Sequence, residues 1–339
     1  MKALLARLNI DTYILLLLGM VALASVLPVR GGASVVAGLL ADAGIVVLFF
    51  MHGARLSRQA VLDGARHWRL HAAVAAMTYV VFPVLGLAVG LLSFLDSSVA
   101  MGILFLTLLP STVQSSIAFT AMARGNVAAA VCSASFSNLA GIFITPILVA
   151  VLITGKQGES STEAVATIAF QLLLPFVAGH LLRPVIGAWI ARQKQLMMMV
   201  DRGSILLVVY TAFSAAVVQG LWSRISSVDL ATILAVSAVL LALVLSLTAV
   251  LGRWLGFSRE DRIVLQFCGS KKSLASGVPM AGVLFATPQV GAVILPLMIF
   301  HQLQLMVCAV LARRYGAEAD RVKADAAGVG VEAFRGQAV

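Results

Sequence analysis

The sequence predicts an all-α polytopic membrane protein with ten transmembrane helices in two inverted five-helix repeats. Three observations support this prediction. Of the 339 residues, 61% are hydrophobic and only 11% are charged, whereas soluble domains carry about 25% charged residues. The hydrophobic residues form runs close to the roughly 20 residues that a bilayer-spanning helix needs. The basic residues lie between these runs, where they determine membrane topology.

Ten hydrophobic segments meet the length requirement for a span. They are residues 12–29, 33–54, 71–93, 97–122, 127–153, 164–182, 203–222, 229–252, 262–285 and 288–312. The hydrophobic pattern ends near residue 315, so we expect residues 1–315 to form one domain. Residues 316–339 are rich in Ala, Gly and charge, and we expect them to form a mobile cytoplasmic tail.

The basic residues fix the expected orientation. With both termini in the cytoplasm, nineteen of the 24 Lys and Arg residues fall in cytoplasmic segments and three in outer loops; the other two are Lys271 and Lys272. This bias predicts an integral membrane protein with both termini in the cytoplasm. The net charge of +10 is spread along the chain rather than gathered in one patch, so we expect no nucleic-acid partner. The oligomeric state stays open.

Each half of the chain contains an interrupted span at the same place. The halves, 1–154 and 163–315, hold five spans each and therefore enter the membrane from opposite sides, as in an inverted repeat. The fourth span of the first half contains PSTVQSS at 110–116, where Pro110 breaks the helix because it lacks an N–H. The ninth span contains GSKKS at 269–273. Matching interruptions indicate a binding site near the membrane midplane.

The lysine pair admits two interpretations. An ammonium at bilayer depth costs roughly 2.5–3.5 kcal/mol, so Lys271 and Lys272 favour a helix break that faces a polar cavity or an anionic group. In the alternative, a cytoplasmic loop runs from Arg259 to Lys272 and the span begins at Ser273. We favour the broken helix.

The polar residues of both interruptions and of the fifth span are the predicted substrate- and ion-binding residues. They are Pro110, Ser111, Thr112, Gln114, Ser115, Ser116, Ser133, Ser135, Ser137, Asn138, Gln266, Ser270, Lys271, Lys272 and Ser273. For the fifth span, ordinary helix–helix contact is the alternative, because small hydroxyl residues let membrane helices approach closely. Asp42 is a candidate counter-charge inside the membrane; the alternatives are a hydrogen bond to a neighbouring helix or a position nearer the interface.

At these interruptions the sequence resembles the bile acid:sodium symporter superfamily (solute carrier 10-like). The segments LPSTVQSSIAFTAMARGNVAAAVCSASFSNLAGIFITP, QFCGSKKSLASGVPMAG and ADAGIVVLFFMHGARLS carry the resemblance. They are closest to the bacterial bile-acid-symporter-like branch, which is related to the orphan seventh member of the animal family. The resemblance to this branch implies residence in the cytoplasmic (inner) membrane of a bacterium. The resemblance implies a panel domain of spans 1, 2, 6 and 7 and a core domain of spans 3–5 and 8–10. Discontinuous helices 4 and 9 are then expected to cross beside the ion and substrate sites.

The resemblance also raises the question of sodium. In the sodium-dependent branch, helix 9 carries a Glu, a Gln and an Asn that ligate sodium, and the matching positions here are Gln266, Ser270 and Lys271. Helix 4 keeps hydroxyls at Ser115 and Ser116, whereas helix 5 has Ala130 and Ala134 where the family has ligating hydroxyls. If sodium binds, Ser115, Ser116 and Gln266 are its expected ligands; no other metal or cofactor is expected. We hypothesise that Lys271 or Lys272 occupies the space of a sodium ion.

The function that the sequence predicts is secondary active transport of a small, anionic organic solute by alternating access. Coupling to sodium, to protons or through a lysine that replaces the ion stays open. The alternative is a non-transporting membrane sensor or regulator that keeps the fold with a degenerate ion site. An enzyme is not expected, because the sequence has no recognisable metal-ligand cluster and no Ser/His/Asp arrangement.

Overall fold

The computed structural model describes residues 12–55, 67–92, 97–153 and 172–335, and within these ranges all regular secondary structure is helical. The elements are α1 Thr12–Val26, α2 Gly32–Arg55, α3 Trp68–Ala76, a π-helical turn Met77–Val81, α4 Phe82–Val89, α5 Ser97–Leu108, α6 Gln114–Met122, α7 Val127–Leu152, α8 Leu174–Arg192, α9 Lys194–Val218, α10 Leu221–Arg224, α11 Ser227–Trp254, α12 Arg259–Gly269, α13 Leu274–Leu284 and α14 Thr287–Arg335.

Six described stretches are long and apolar enough to cross a membrane. They are Gly32–Arg55, Trp68–Val89, Val127–Leu152, Gln195–Val218, Ser227–Trp254 and Thr287–Val322. Three shorter apolar helices are Leu15–Val26, Ser97–Leu108 and Leu174–Ile190. These helices define a polytopic integral membrane protein. The predicted fourth and ninth spans are each divided into two shorter helices.

Both predicted interruptions lie between two helices. In the first, α5 ends at Leu108 and α6 begins at Gln114, so residues 109–113 are not helical. In the second, α12 ends at Gly269 and α13 begins at Leu274. The Ser273 side chain caps α13 by accepting a hydrogen bond of 3.2 Å from the Ser276 N–H, as a serine at this position commonly does. The alternative loop from Arg259 to Lys272 does not agree with this arrangement, because most of it is the buried helix α12.

The helices pack in two groups. Helices α1, α2, α8 and α9 pack on one another, and the remaining long helices pack around the two interruptions. Helices α2 and α8 approach so closely that a Cβ added to Gly53 would lie 1.9 Å from the Phe176 carbonyl oxygen, and one added to Gly179 would lie 1.9 Å from the Phe50 carbonyl oxygen. Glycine is required at both positions, because any side chain would displace the facing backbone.

The two groups meet mainly through α9. It packs against α13 and α14, where Gly291 faces Ala216, with 2.8 Å between a Cβ added to the glycine and the alanine Cβ. A cavity of about 150 Å³ opens at one end of this contact, lined in part by Gln219, Asp229 and Gln289. The two groups therefore meet through a close contact of small residues, with a cavity beside it.

The helix ends differ most from the predicted spans at α14 and α8. Helix α14 continues to Arg335, 23 residues beyond the predicted tenth span, so the predicted tail is helical as far as the structure describes it. Its extension contacts the end of α6: Arg124 forms an ion pair of 3.2 Å with Asp320, and a Cβ added to Gly316 would lie 2.4 Å from the Met122 carbonyl oxygen. Helix α8 extends ten residues past the predicted sixth span. The predicted boundary between the repeats lies outside the described residues.

Candidate functional site

The ammonium group of Lys272 is held by three backbone carbonyl oxygens. Its Nζ donates hydrogen bonds to the carbonyl oxygens of Thr78 and Thr107, both at 2.8 Å, and to that of Leu109 at 2.7 Å. The ring centroid of Phe82 lies 4.2 Å from Nζ, a distance typical of a cation–π contact. A lysine ammonium has three donors and no acceptor, so these three carbonyl groups satisfy all of its donors. We call them, with the Phe82 ring, the ammonium cage.

The Thr78 carbonyl is available because of the π-helical turn that follows α3. In this turn the Phe82 N–H donates to the Met77 carbonyl, so it does not donate to that of Thr78 as it would in an α-helix. The next N–H in a π-helical pattern would be that of residue 83, which is proline and has none. Pro83 therefore leaves the Thr78 oxygen without a partner within its own helix.

The first interruption leaves four consecutive carbonyl groups without a partner in their own helix, and each accepts a hydrogen bond from another element. Those of Thr107 and Leu109 accept from Lys272. The Leu108 carbonyl accepts from Thr145 Oγ1 at 2.7 Å, and the Pro110 carbonyl accepts from the Ser273 N–H at 2.9 Å. The Ser111 N–H, which would extend α5, donates instead to Ser137 Oγ at 3.1 Å. The two interruptions and α7 thus satisfy one another's backbone groups, as hydrocarbon surroundings require.

Gln304 of α14 fixes the backbone of Lys272. Its Oε1 accepts from the Lys272 N–H at 2.8 Å, and its Nε2 donates to the Lys272 carbonyl at 2.9 Å. His301 Nδ1 lies 2.9 Å from Gln304 Nε2. This two-sided amide contact replaces the hydrogen bonds that a continuous helix would have made at Lys272.

Lys271 points into a different environment. Its Nζ makes one long hydrogen bond of 3.4 Å, to Ser115 Oγ, and lies 4.4 and 5.6 Å from the ring centroids of Phe119 and Phe267. Ser115 Oγ donates to Thr112 Oγ1 at 2.8 Å, which lies 2.9 Å from Ser116 Oγ. We call Thr112, Ser115 and Ser116 the hydroxyl cluster.

Neither lysine has a carboxylate partner in the described part of the chain. Both are 0% exposed, and the two ion pairs found there join Arg55 to Asp201 and Arg124 to Asp320. Asp42 is exposed on α2 and forms no ion pair with either lysine. The structure therefore does not bring the predicted counter-charge to the lysine pair.

The structure places several other predicted residues around the interruptions. Ser137 accepts from the Tyr79 hydroxyl through its carbonyl and from Ser111 through Oγ. Asn138 Oδ1 accepts from Ser276 Oγ at 2.8 Å, so α7 contacts the start of α13. Ser270 Oγ donates to the Gln266 carbonyl at 2.5 Å. These contacts lie among the two interrupted spans and α7.

Other predicted residues face away from the lysines or have separate partners. Gln114 is exposed at the start of α6, and Ser135 is half-buried on α7. Ser133 Oγ lies 2.6 Å from His71 Nδ1. These three residues do not join the group around Lys271 and Lys272.

The residues present do not fit the sodium site that the resemblance implies. Gln266 Oε1 accepts from the Tyr315 hydroxyl at 3.1 Å, and the Tyr315 carbonyl accepts from Arg259 at 2.6 Å. The hydroxyl cluster has an ammonium beside it and makes hydrogen bonds within itself. A buried cation disfavours a second cation nearby, and the neutral amide supplies no compensating charge.

Sequence reasoning missed the residues that complete the cage. Thr78, Thr107 and Leu109 act through backbone carbonyl oxygens, and Gln304 is 32 residues from its partner. One signal was available: Pro83, seen together with the break at Pro110, indicates two places where helical carbonyl groups lose their partners.

A polytopic helical protein in which two interrupted helices meet around buried charges has the architecture of a membrane transporter. The sequence model of the SBF-like CPA transporter family (DUF4137) matches residues 11–317, and the chain belongs to this family. Its membership confirms the predicted resemblance to the bile acid:sodium symporter superfamily. The protein is therefore a transporter rather than an enzyme, with a lipid bilayer as its environment and a small molecule as its substrate.

The similarity to three relatives covers most of the chain. "Uncharacterized protein PA2026" of Pseudomonas aeruginosa is 56% identical over 314 residues, 91% of this chain and 94% of that protein. "Putative symporter YfeH" of Escherichia coli is 51% identical over 317 residues, 93% of this chain and 96% of that protein. "Sodium/bile acid cotransporter 7-B" of Xenopus laevis is 26% identical over 278 residues, 79% of each chain.

Proposed function

We propose that this protein is a sodium-independent secondary transporter of a small organic anion. The observation that carries the proposal is the position of Lys271: a buried ammonium with a single long hydrogen bond, beside the hydroxyl cluster. Lys272 has no N–H donor left for a ligand, whereas Lys271 has N–H donors from which an anionic group can accept hydrogen bonds. Lys271 is thus the proposed anion contact, with Ser115 and Thr112 as neighbouring polar groups.

The proposed absence of sodium coupling rests on charge. A sodium ion would have to enter a site that contains an ammonium and in which Gln266 replaces the family carboxylate. The lysine already supplies the positive charge that a sodium ion brings. The site is compatible with proton-coupled transport, in which Lys271 gains and loses a proton during the cycle.

Alternating access is supported by the burial of Lys271 and by the two helix groups. A ligand reaches a fully buried ammonium only when the helices around it separate, and closure around a ligand is a typical transporter motion. The small-residue contact between α9 and α14 is where the panel and core domains would move. The cavity near Gln219 and Gln289 is a candidate end of the pathway.

The proposed topology has ten spans in two inverted repeats, with both termini in the cytoplasm of a bacterium. Helix pairs that correspond under the repeat also pack alike. The packing of α4 on α5 corresponds to that of α11 on α12, and the packing of α6 on α7 corresponds to that of α13 on α14. In the first group of helices, α2 packs on α8 and α1 packs on α9. Such correspondence is expected when an axis in the membrane plane relates the halves.

Reconstitution into liposomes tests the proposal. Uptake of radiolabelled carboxylates, sulfonates and organic phosphates would be measured with sodium, potassium or choline as the only cation, beside matched organic cations. We expect uptake of an anion at equal rates in the three salts, its abolition by Lys271→Ala, and its partial retention in Lys271→Arg. Uptake that requires sodium would contradict sodium independence. Saturable binding of an anion without any flux would support the sensor alternative.

A further inference from the structure

We propose that the ammonium cage is a binding site for a primary ammonium cation and that the protein's own Lys272 occupies it. This site is distinct from the hydroxyl cluster at Lys271, and the proposal does not depend on what the protein transports. It predicts that the cage survives removal of the lysine side chain and then accepts a free alkylammonium ion from solution.

The geometry of the cage selects a primary ammonium. Three carbonyl oxygens lie 2.7–2.8 Å from Nζ, within the range of good charge-assisted hydrogen bonds. A primary ammonium has three N–H donors, one for each oxygen, and its carbon occupies the remaining direction. A quaternary ammonium has no N–H donor. The Phe82 ring at 4.2 Å adds attraction for any cation but does not select one.

The cage is held by contacts that do not involve the lysine side chain. The Thr78 carbonyl is free because residue 83 is proline and the Phe82 N–H donates to Met77. The first interruption is fixed by Thr145 on the Leu108 carbonyl and by the Ser273 N–H on the Pro110 carbonyl. Lys272→Ala would leave these contacts in place and three carbonyl oxygens without donors. A buried carbonyl group that loses its donor is strongly unfavourable in an apolar interior. Binding of a replacement ammonium would remove this cost.

The replacement can be specified. Alanine retains Cβ, and the atoms lost from Lys272 are three methylene carbons and the ammonium nitrogen. These atoms correspond to n-propylammonium. Lys272→Met is the matched variant in which a side chain of similar length fills the space, and Lys271→Ala is the matched variant at the adjacent lysine, which has no carbonyl cage.

The experiment measures melting temperatures of the full-length protein in detergent as n-propylammonium chloride is added. Tetramethylammonium chloride at equal ionic strength, n-propanol, sodium chloride and potassium chloride serve as comparisons. We expect a saturable rise of at least about 2 °C for Lys272→Ala with n-propylammonium. We expect no such rise for the wild-type protein, Lys272→Met or Lys271→Ala.

The absence of a rise for Lys272→Ala would overturn the proposal, and so would four other outcomes. They are equal effects of n-propylammonium and tetramethylammonium, an equal effect of n-propanol, the same rise in Lys271→Ala, and a rise with sodium or potassium alone. If Lys272→Ala aggregates on extraction, the readout is the yield of monodisperse protein from membranes solubilised in each salt. A yield that is higher with n-propylammonium supports the cage, and equal aggregation in both ammonium salts contradicts it.

Discussion

The backbone N–H of Ser273 donates a hydrogen bond to the carbonyl of Pro110, at 2.9 Å, although the two residues lie in opposite halves of the chain. The adjacent Lys272 repeats this connection through its side chain, which reaches the Thr107 and Leu109 carbonyl groups. The two interrupted spans are therefore joined at their breaks by backbone and side-chain hydrogen bonds. Lys272 is part of this connection and has all of its donors satisfied, whereas Lys271 has one long hydrogen bond.

The two lysines should differ in their contribution to stability. Lys272→Met removes the donor for three buried carbonyl groups, each of which costs roughly 1–3 kcal/mol when left unsatisfied. Lys271→Met removes one long hydrogen bond and a buried charge, which can be neutral or stabilising. We expect a large fall in melting temperature for the first variant and little change for the second. Equal losses would show that the cage is not the stabilising feature.

Gln304 offers a test of the backbone joint with a control two residues away. Gln304→Leu removes both of its hydrogen bonds to the backbone of Lys272. The Lys272 N–H is left unpaired, whereas His301 Nδ1 lies 3.3 Å from the Lys272 carbonyl, so we expect a loss of about 1–3 kcal/mol, as for one buried group left unpaired. The Gln302 side-chain amide is buried and has no hydrogen bond among the described residues. Gln302→Leu should therefore be neutral or stabilising. Thermal melting of both variants measures the difference, and a larger loss at Gln302 would contradict this account.

The contact between α2 and α8 should not tolerate a side chain. A Cβ at Gly53 would lie 1.9 Å from a carbonyl oxygen, so Gly53→Ala must separate the helices, at a cost of about 1–3 kcal/mol or more. Gly38 on the same helix has nothing within 4 Å of such a Cβ. Gly38→Ala should be neutral or slightly stabilising, because alanine favours helix. Membrane expression and melting temperature of the pair are the measurements; similar values for both variants would be inconsistent with the close contact.

Anion binding should depend on Lys271 and on its charge. Lys271→Ala should abolish binding of any anion that the reconstituted protein transports, with the fold retained. Lys271→Arg keeps a positive charge but changes its geometry, so we expect weakened rather than abolished binding. Equilibrium binding of the labelled anion to purified variants measures this. Unchanged affinity in Lys271→Ala would place the anion site elsewhere.

The sequence predicted the helices and their interruptions better than it predicted the contacts at the site. Hydrophobic run length and Pro110 locate the first interruption, and the cost of a buried charge locates the second near Lys271 and Lys272. The cage could not be predicted, because a carbonyl oxygen is present in every residue and only the fold decides which ones are free. For the same reason the sequence could not say which lysine is fully coordinated.

Two other differences have a physical explanation. The extension of α14 was missed because residues after Gly316 carry charges, which end a hydrophobic span but do not end a helix. That segment is rich in alanine, which has a high helix propensity, and Asp320 attaches it to Arg124. Asp42 was a candidate counter-charge with other positions left open, and it is exposed on α2; helical periodicity alone does not tell which side of that helix is exposed.

Melting temperature of the wild-type protein in sodium, potassium and choline chloride at equal ionic strength, from pH 5 to pH 9, tests the central claim most directly. A ligand that binds only the folded protein raises stability in a saturable manner. If lysines have taken the place of the coupling ion, the three salts should give the same melting temperature at each pH. A saturable rise specific to sodium would contradict the account and would show that the oxygen ligands near Ser115 and Gln266 still bind sodium.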